Sequence, residues 1–78
     1  MTKAYTRAQE RLVLAQKDCE YNRGWAQWCN GCRTAPGYDT AGMRGKEALY
    51  WARYELAAKK RDRALAHLIA VVRKEAAK

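Results

Sequence analysis

The chain's only proline and four of its five glycines fall between Asn30 and Gly45, so its 78 residues divide into two long stretches joined by one connection. From Lys46 to Ala77 there is no Gly or Pro, and Ala, Leu, Arg, Lys and Glu, all strong helix formers, dominate. A chain of this length has room for one domain. It hides only about 60% of the surface that its unfolded form exposes. The core is therefore expected to be thin, and a partner subunit is one way such small folds are completed.

The N-terminal stretch places Tyr5, Ala8, Leu12, Ala15 and Cys19 at alternating steps of three and four, one stripe along a helix. Arg7, Gln9, Glu10, Arg11, Gln16 and Lys17 take the other faces. Thr6 with Gln9 forms a capping-box pattern, and Thr2 is the alternative cap if the helix begins earlier. Two endings fit the residues. Either Gly24 closes the helix in the left-handed position with Trp25 folding back, or the helix runs through Gly24, at about 1 kcal/mol relative to Ala, and stops near Asn30-Gly31.

In the second stretch, Trp51, Tyr54, Ala58, Leu65, Leu68 and Val72 follow helical spacing, with Arg61 intruding. The pattern predicts an all-α fold, a helical hairpin with a long second helix and a connecting loop at about 30–45. A turn at Lys59-Lys60-Arg61-Asp62-Arg63, with Asp62 as a cap, gives a three-helix bundle as the alternative. Leu65, Leu68, Ile69, Val71 and Val72 lie on more than one side of the last helix. A lone hairpin leaves part of that surface open, and a homodimer in a four-helix arrangement would cover it.

The formal charge is +8, an excess that favours acidic partners such as nucleic acid, an anionic membrane or an acidic protein face. No apolar signal region follows Met1, and the run from Ala64 to Val72 is far shorter than the roughly 20 residues of a membrane span. A cytoplasmic, soluble protein is the expectation. Three cysteines, an odd number in a chain without a signal, fit a reducing compartment.

Seven aromatic residues, Tyr21, Trp25, Trp28, Tyr38, Tyr50, Trp51 and Tyr54, lie in the middle of the chain. A hairpin turning near Pro36 sets Trp25 and Trp28 opposite the turns that carry Leu49, Tyr50, Trp51 and Tyr54. Burial in the core is the commoner fate of such rings. Those that protrude would be stacking platforms for unpaired bases or anchors for a protein. Tyr38 in the loop, and Tyr50 or Trp51, which are adjacent and point different ways, are the candidate anchors.

Cys29 and Cys32 form a CxxC, and Cys19 is a third sulfur, with Asp18 or Asp39 available to complete a zinc site. A second CxxC or HxxxH is absent, and zinc is the lesser reading. His67, the only histidine, pairs in height with the start of the first helix, far from the CxxC. In an unbroken helix Cys19 sits about 15 Å from Cys29, so a shared site requires a real stop at Gly24. Trp28-Cys29-Asn30-Gly31-Cys32 resembles the Trp-Cys-x-x-Cys of thiol oxidoreductases. No strand precedes it and no βαβ pattern surrounds it, so no such activity follows. No other catalytic constellation is present, and a non-enzymatic protein is expected.

Lys59-Lys60-Arg61-Asp62-Arg63 is the densest basic run. Arg53, Lys60 and Arg63, with Arg7 and Arg11 from the facing helix, are the candidate strip for phosphates, to which Lys59 and Arg61 add charge. The short-turn geometry of a helix-turn-helix is not evident. The leading expectation is a basic helical module contacting nucleic acid or a nucleoprotein complex. The alternative is a small inhibitor or adaptor, of the kind used in phage counter-defence or host takeover, anchored by its aromatic end and steered onto an acidic protein surface. A weaker third reading attaches the last helix to anionic lipid through Leu65, Leu68, Ile69 and Val72 beside Arg63, Arg73 and Lys74.

Overall fold

The computed structural model describes residues 2–35, 37 and 39–77. Two helices, α1 (Lys3–Arg33) and α2 (Ala41–Ala76), run antiparallel and account for the fold, with no strand among the described residues. The hairpin is a rod of 62 × 15 × 13 Å. Its radius of gyration is 17.5 Å, whereas a globular chain of this length has about 11.5 Å.

Thr2 caps α1, its hydroxyl accepting from the Tyr5 N–H at 3.3 Å, so the earlier of the two expected starts is the one used. At the other end the stop at Gly24 is not used, and the second expected ending, through Gly24 to a close near Asn30-Gly31, is met to within two residues. The helix passes through both Gly24 and Gly31 and closes at Arg33, where Thr34 bonds back to Asn30. The connection is consequently shorter than 30–45. Gly37, at φ +83°, supplies the left-handed backbone of the turn. Thr40 then caps α2, accepting from the Met43 N–H at 3.2 Å, and the helix starts five residues before Lys46 despite Gly42 and Gly45. No break occurs at Lys59–Arg63, which removes the three-helix alternative.

Alternating steps of three and four run the length of both helices. In α1 the inward positions are Tyr5, Ala8, Leu12, Ala15, Cys19, Asn22, Ala26, Cys29 and Arg33; in α2 they are Met43, Glu47, Tyr50, Tyr54, Ala57, Arg61, Ala64, Leu68, Val71 and Glu75. This is the heptad seam of a coiled coil. The α1 stripe continues the expected one. The α2 stripe is rotated by about 50° from the expected one: Tyr54 and Leu68 lie in the seam and Arg61 takes a regular place in it, Trp51 and Ala58 flank it half-buried, and Leu65 and Val72 are exposed. The reason is size. Among the described residues only Ala8, Cys19, Ala26, Cys29, Ala57 and Ala64 are buried. These small side chains let the two backbones approach closely, and the line they define excludes the larger residues beside them.

Polar seam residues pair at the ends of the rod. Near the turn, Glu47 accepts from Asn30 at 2.9 Å and from Arg33 at 2.8 Å. At the open end the Thr2 hydroxyl donates to Glu75. Arg44 also holds Asp39 through two bonds of 2.8 and 2.7 Å, next to the cap of α2. The side-chain bonds from Asn30 and then Arg33 hold the Glu47 carboxyl below the ordinary carboxylate range.

Two outcomes are expected. A Cβ built at Gly24 meets nothing within 4 Å, so Gly24→Ala should stabilise the hairpin by about 1 kcal/mol and raise the thermal midpoint by about 4–8 °C. Because the Glu47 pKa is lowered on folding, its contribution is present above the unfolded value of about 4.3 and is lost as pH falls through the folded value. The wild type's advantage over Glu47→Gln in thermal melts at pH 7 should therefore shrink as pH falls below about 4.

Candidate functional site

The seam divides the rod into two flanks of different chemistry. On one, Arg7, Arg11, Leu14, Asp18, Tyr21, Trp25 and Trp28 of α1 run beside Lys46, Leu49, Arg53, Leu56, Lys60, Arg63, His67 and Lys74 of α2. Side-chain placement fixes this pairing: Arg11, Leu14 and Asp18 share a groove with Lys60 and Arg63, and Thr2 and Ala4 share another with His67 and Lys74. The expected pairing in height of His67 with the start of α1 is thus met. Asp18 is the only acid among the described residues at these flanking positions.

The groove between Arg11 and Asp18 of α1 and Lys60 and Arg63 of α2 is shallow, about 380 Å³, and floored by Ala15 and Ala64. Two helices each contribute cations to it because alanines in the seam leave the backbones close. All four charged groups are exposed. An anion bridging the helices would meet three cations and one carboxylate, a site suited to one phosphate at a time along a chain of them.

Towards the turn the same flank becomes aromatic. Trp25 stacks on Tyr50 across the seam, with centroids 5.9 Å apart and planes at 19°. Trp28 and Tyr21 meet Trp25 edge-on at 5.5 and 6.3 Å. The Arg53 guanidinium lies 5.6 Å from the Tyr50 ring centre, which fixes it between the aromatic cluster and the basic groove. Core burial of these α1 rings does not occur: Trp25 is 40% exposed, Trp28 56% and Tyr21 60%. A two-helix seam has no third wall to cover them. Gly24, with Tyr21, Trp25 and Trp28 around it, leaves an open notch in the helix surface, edged by Glu20.

The expected strip is therefore brought together in part. Arg11, Lys60 and Arg63 converge, Arg53 lies two turns before Lys60 on the same flank with its guanidinium against Tyr50, and Arg7 lies one turn from Arg11. Lys59 is exposed on the outer face. Arg61 does not belong to the strip. It is half-buried in the seam, leans to Asp62 at 3.3 Å and faces the opposite flank, beside Gln16, Cys19, Glu20 and Arg23. A dense run of charges in sequence is spread around a helix at 100° per residue, so its members cannot act as one patch.

Of the candidate anchors, Tyr50 is on the basic flank, Trp51 is on the other, edge-on to Tyr54 at 5.7 Å, and Tyr38 lies outside the described residues. Tyr21, Trp25 and Trp28 are not among the rings that the sequence pattern singles out as protruding. Their i, i+4, i+7 spacing beside the α1 stripe is the signal that marks them.

The cysteines are separated by the continuous helix. Cys19 and Cys29 are buried in the seam about 15 Å apart, Cys32 is half-buried near the turn, and no group of three metal-ligating side chains occurs among the described residues. That spacing keeps Cys19 and Cys29 from ligating one ion together, as expected for a helix unbroken at Gly24. No helix of the described residues is long and apolar enough to cross a membrane. No protein-family model, curated protein or solved structure matches the chain.

Proposed function

We propose that this protein is a non-enzymatic basic helical module that binds nucleic acid, alone or in a nucleoprotein complex, along its Arg/Lys flank. The observation that carries the reading is the adjacency of two surfaces on one side of the rod: cations from both helices converging at Arg11, Lys60 and Arg63, and exposed rings at Tyr21, Trp25 and Trp28. Phosphates need the first and unpaired bases need the second. Arg53 over Tyr50 links them into one track. A single strand is the favoured ligand, because a straight rod with rings on its side offers stacking partners that a duplex cannot use. Such a ligand, together with three thiols held unpaired, suits the cytoplasm.

A second reading rests on the notch at Gly24. Walled by Tyr21, Trp25 and Trp28, it would accept an apolar side chain of a protein partner, with the flanking cations steering the rod onto an acidic surface. This is the inhibitor or adaptor reading.

Salt titration of short single-stranded DNA and RNA binding, followed by fluorescence anisotropy, separates the two. Binding should persist near physiological salt. Lys60→Glu with Arg63→Glu should weaken it for every sequence and lower the log–log salt slope by about 0.7 for each phosphate no longer neutralised. Trp28→Ala should cost about 1–3 kcal/mol of single-strand affinity while leaving helicity intact. Loss of all binding near physiological salt, or variants that bind as the parent does, would favour the protein-partner reading.

A further inference from the structure

The flank opposite the cations has a different chemistry. On α2, Trp51, Ala58, Leu65 and Val72 recur every seven residues as a straight ridge about 32 Å long, with Ile69 beside it. Leu65 and Val72 are each 44% exposed and Ile69 43%. The neighbouring charges alternate in sign: Arg23 and Arg44 against Glu20, Glu55 and Asp62. A strongly basic molecule carries here a nearly neutral, apolar side, on which a second copy meets little repulsion.

The accessible surface is 6031 Å², whereas a compact monomer of 9.0 kDa exposes about 4,850 Å². The excess, about 1,200 Å², belongs to the rod as a whole, and burying the roughly 800 Å² that each partner contributes to a standard stable interface would remove about two-thirds of it. We infer that a second copy of this chain covers the Trp51–Val72 ridge, packing antiparallel about a two-fold axis that passes between Arg61 and Asp62, to give a four-helix arrangement.

The residues fit that symmetry. Placing the axis midway along the ridge sets Trp51 against Val72 of the other copy and Ala58 against its Leu65, large against small at each layer. The same register brings the Arg61–Asp62 pairs of the two copies together at the axis, two positive and two negative groups. Arg61 and Asp62 sit 3.3 Å apart within one chain, so each copy brings a balanced pair of charges to the axis. The two basic flanks then point outward. The inference does not depend on what those flanks bind.

Sedimentation equilibrium of the full chain at about 1 and 100 μM, where mass action shifts any dimer, tests it. The wild type should be dimeric at the higher concentration, and Leu65→Glu should raise the dissociation constant at least tenfold. Leu56→Glu, an exposed leucine on the basic flank, should leave it unchanged. Arg61→Asp and Asp62→Arg should each weaken self-association, and an equimolar mixture of the two should restore a dimer, which a variant that merely unfolds would not do. A monomeric wild type at 100 μM, a dimer disrupted by Leu56→Glu but not by Leu65→Glu, or no recovery on mixing would overturn the inference.

Discussion

Close packing of alanine and cysteine along a heptad seam is the constraint from which the rest of this hairpin follows. Ala8, Ala26, Cys29, Ala57 and Ala64 are buried but small, so each encloses little area, yet they set where the helices touch. Larger residues at the adjacent positions are left outside that line. A globular fold would cover them with a third element. Two helices cannot, so Trp25, Trp28, Leu56, Leu65 and Ile69 remain on the surface of a thin rod. With so little apolar area enclosed, the ends matter more, and the seam's polar pairs, Glu47 with Asn30 and Arg33 and Glu75 with Thr2, lie there.

The seam also sorts charge. Arg11, Lys60 and Arg63 fall on one side of it, while Arg61, only a residue from Lys60, falls within it and turns to the other. Rings and cations share one flank; apolar ridge and mixed charges share the opposite one. A basic surface that retains exposed aromatic groups combines long-range attraction with short-range stacking. Lys59, Arg73 and the outer face add to the general positive field without joining the groove.

Much of the architecture is legible in the residues. Glycine and proline placement marks one connection and two helices, and the α1 stripe can be followed from Tyr5 to Cys19. The limits of α1 and α2 are less legible, because Gly24, Gly31, Gly42 and Gly45 read as breakers although Thr2 and Thr40 caps and the opposite helix hold the backbone through them. The α2 stripe is misplaced for a related reason. Apolar bulk at Trp51, Leu65 and Val72 suggests the inward face, but close approach selects small residues, Ala57 and Ala64. That same rotation moves Arg61 out of the basic strip, while Trp25 and Trp28 lie beside the α1 stripe with no third element to cover them. Convergence of Arg11 with Lys60 and Arg63 depends on the register between the helices, which no single-helix pattern contains.

The division into a ligand-binding flank and an apolar flank is tested most directly by residue-resolved NMR of the labelled protein titrated with a short single-stranded oligonucleotide near physiological salt. The largest shift changes should fall on the Trp25 and Trp28 indoles and on Arg11, Arg53, Lys60 and Arg63, with Leu65, Ile69 and Val72 nearly unmoved. Changes centred on Trp51, Leu65 and Val72, or small changes spread evenly over all the cations, would contradict it.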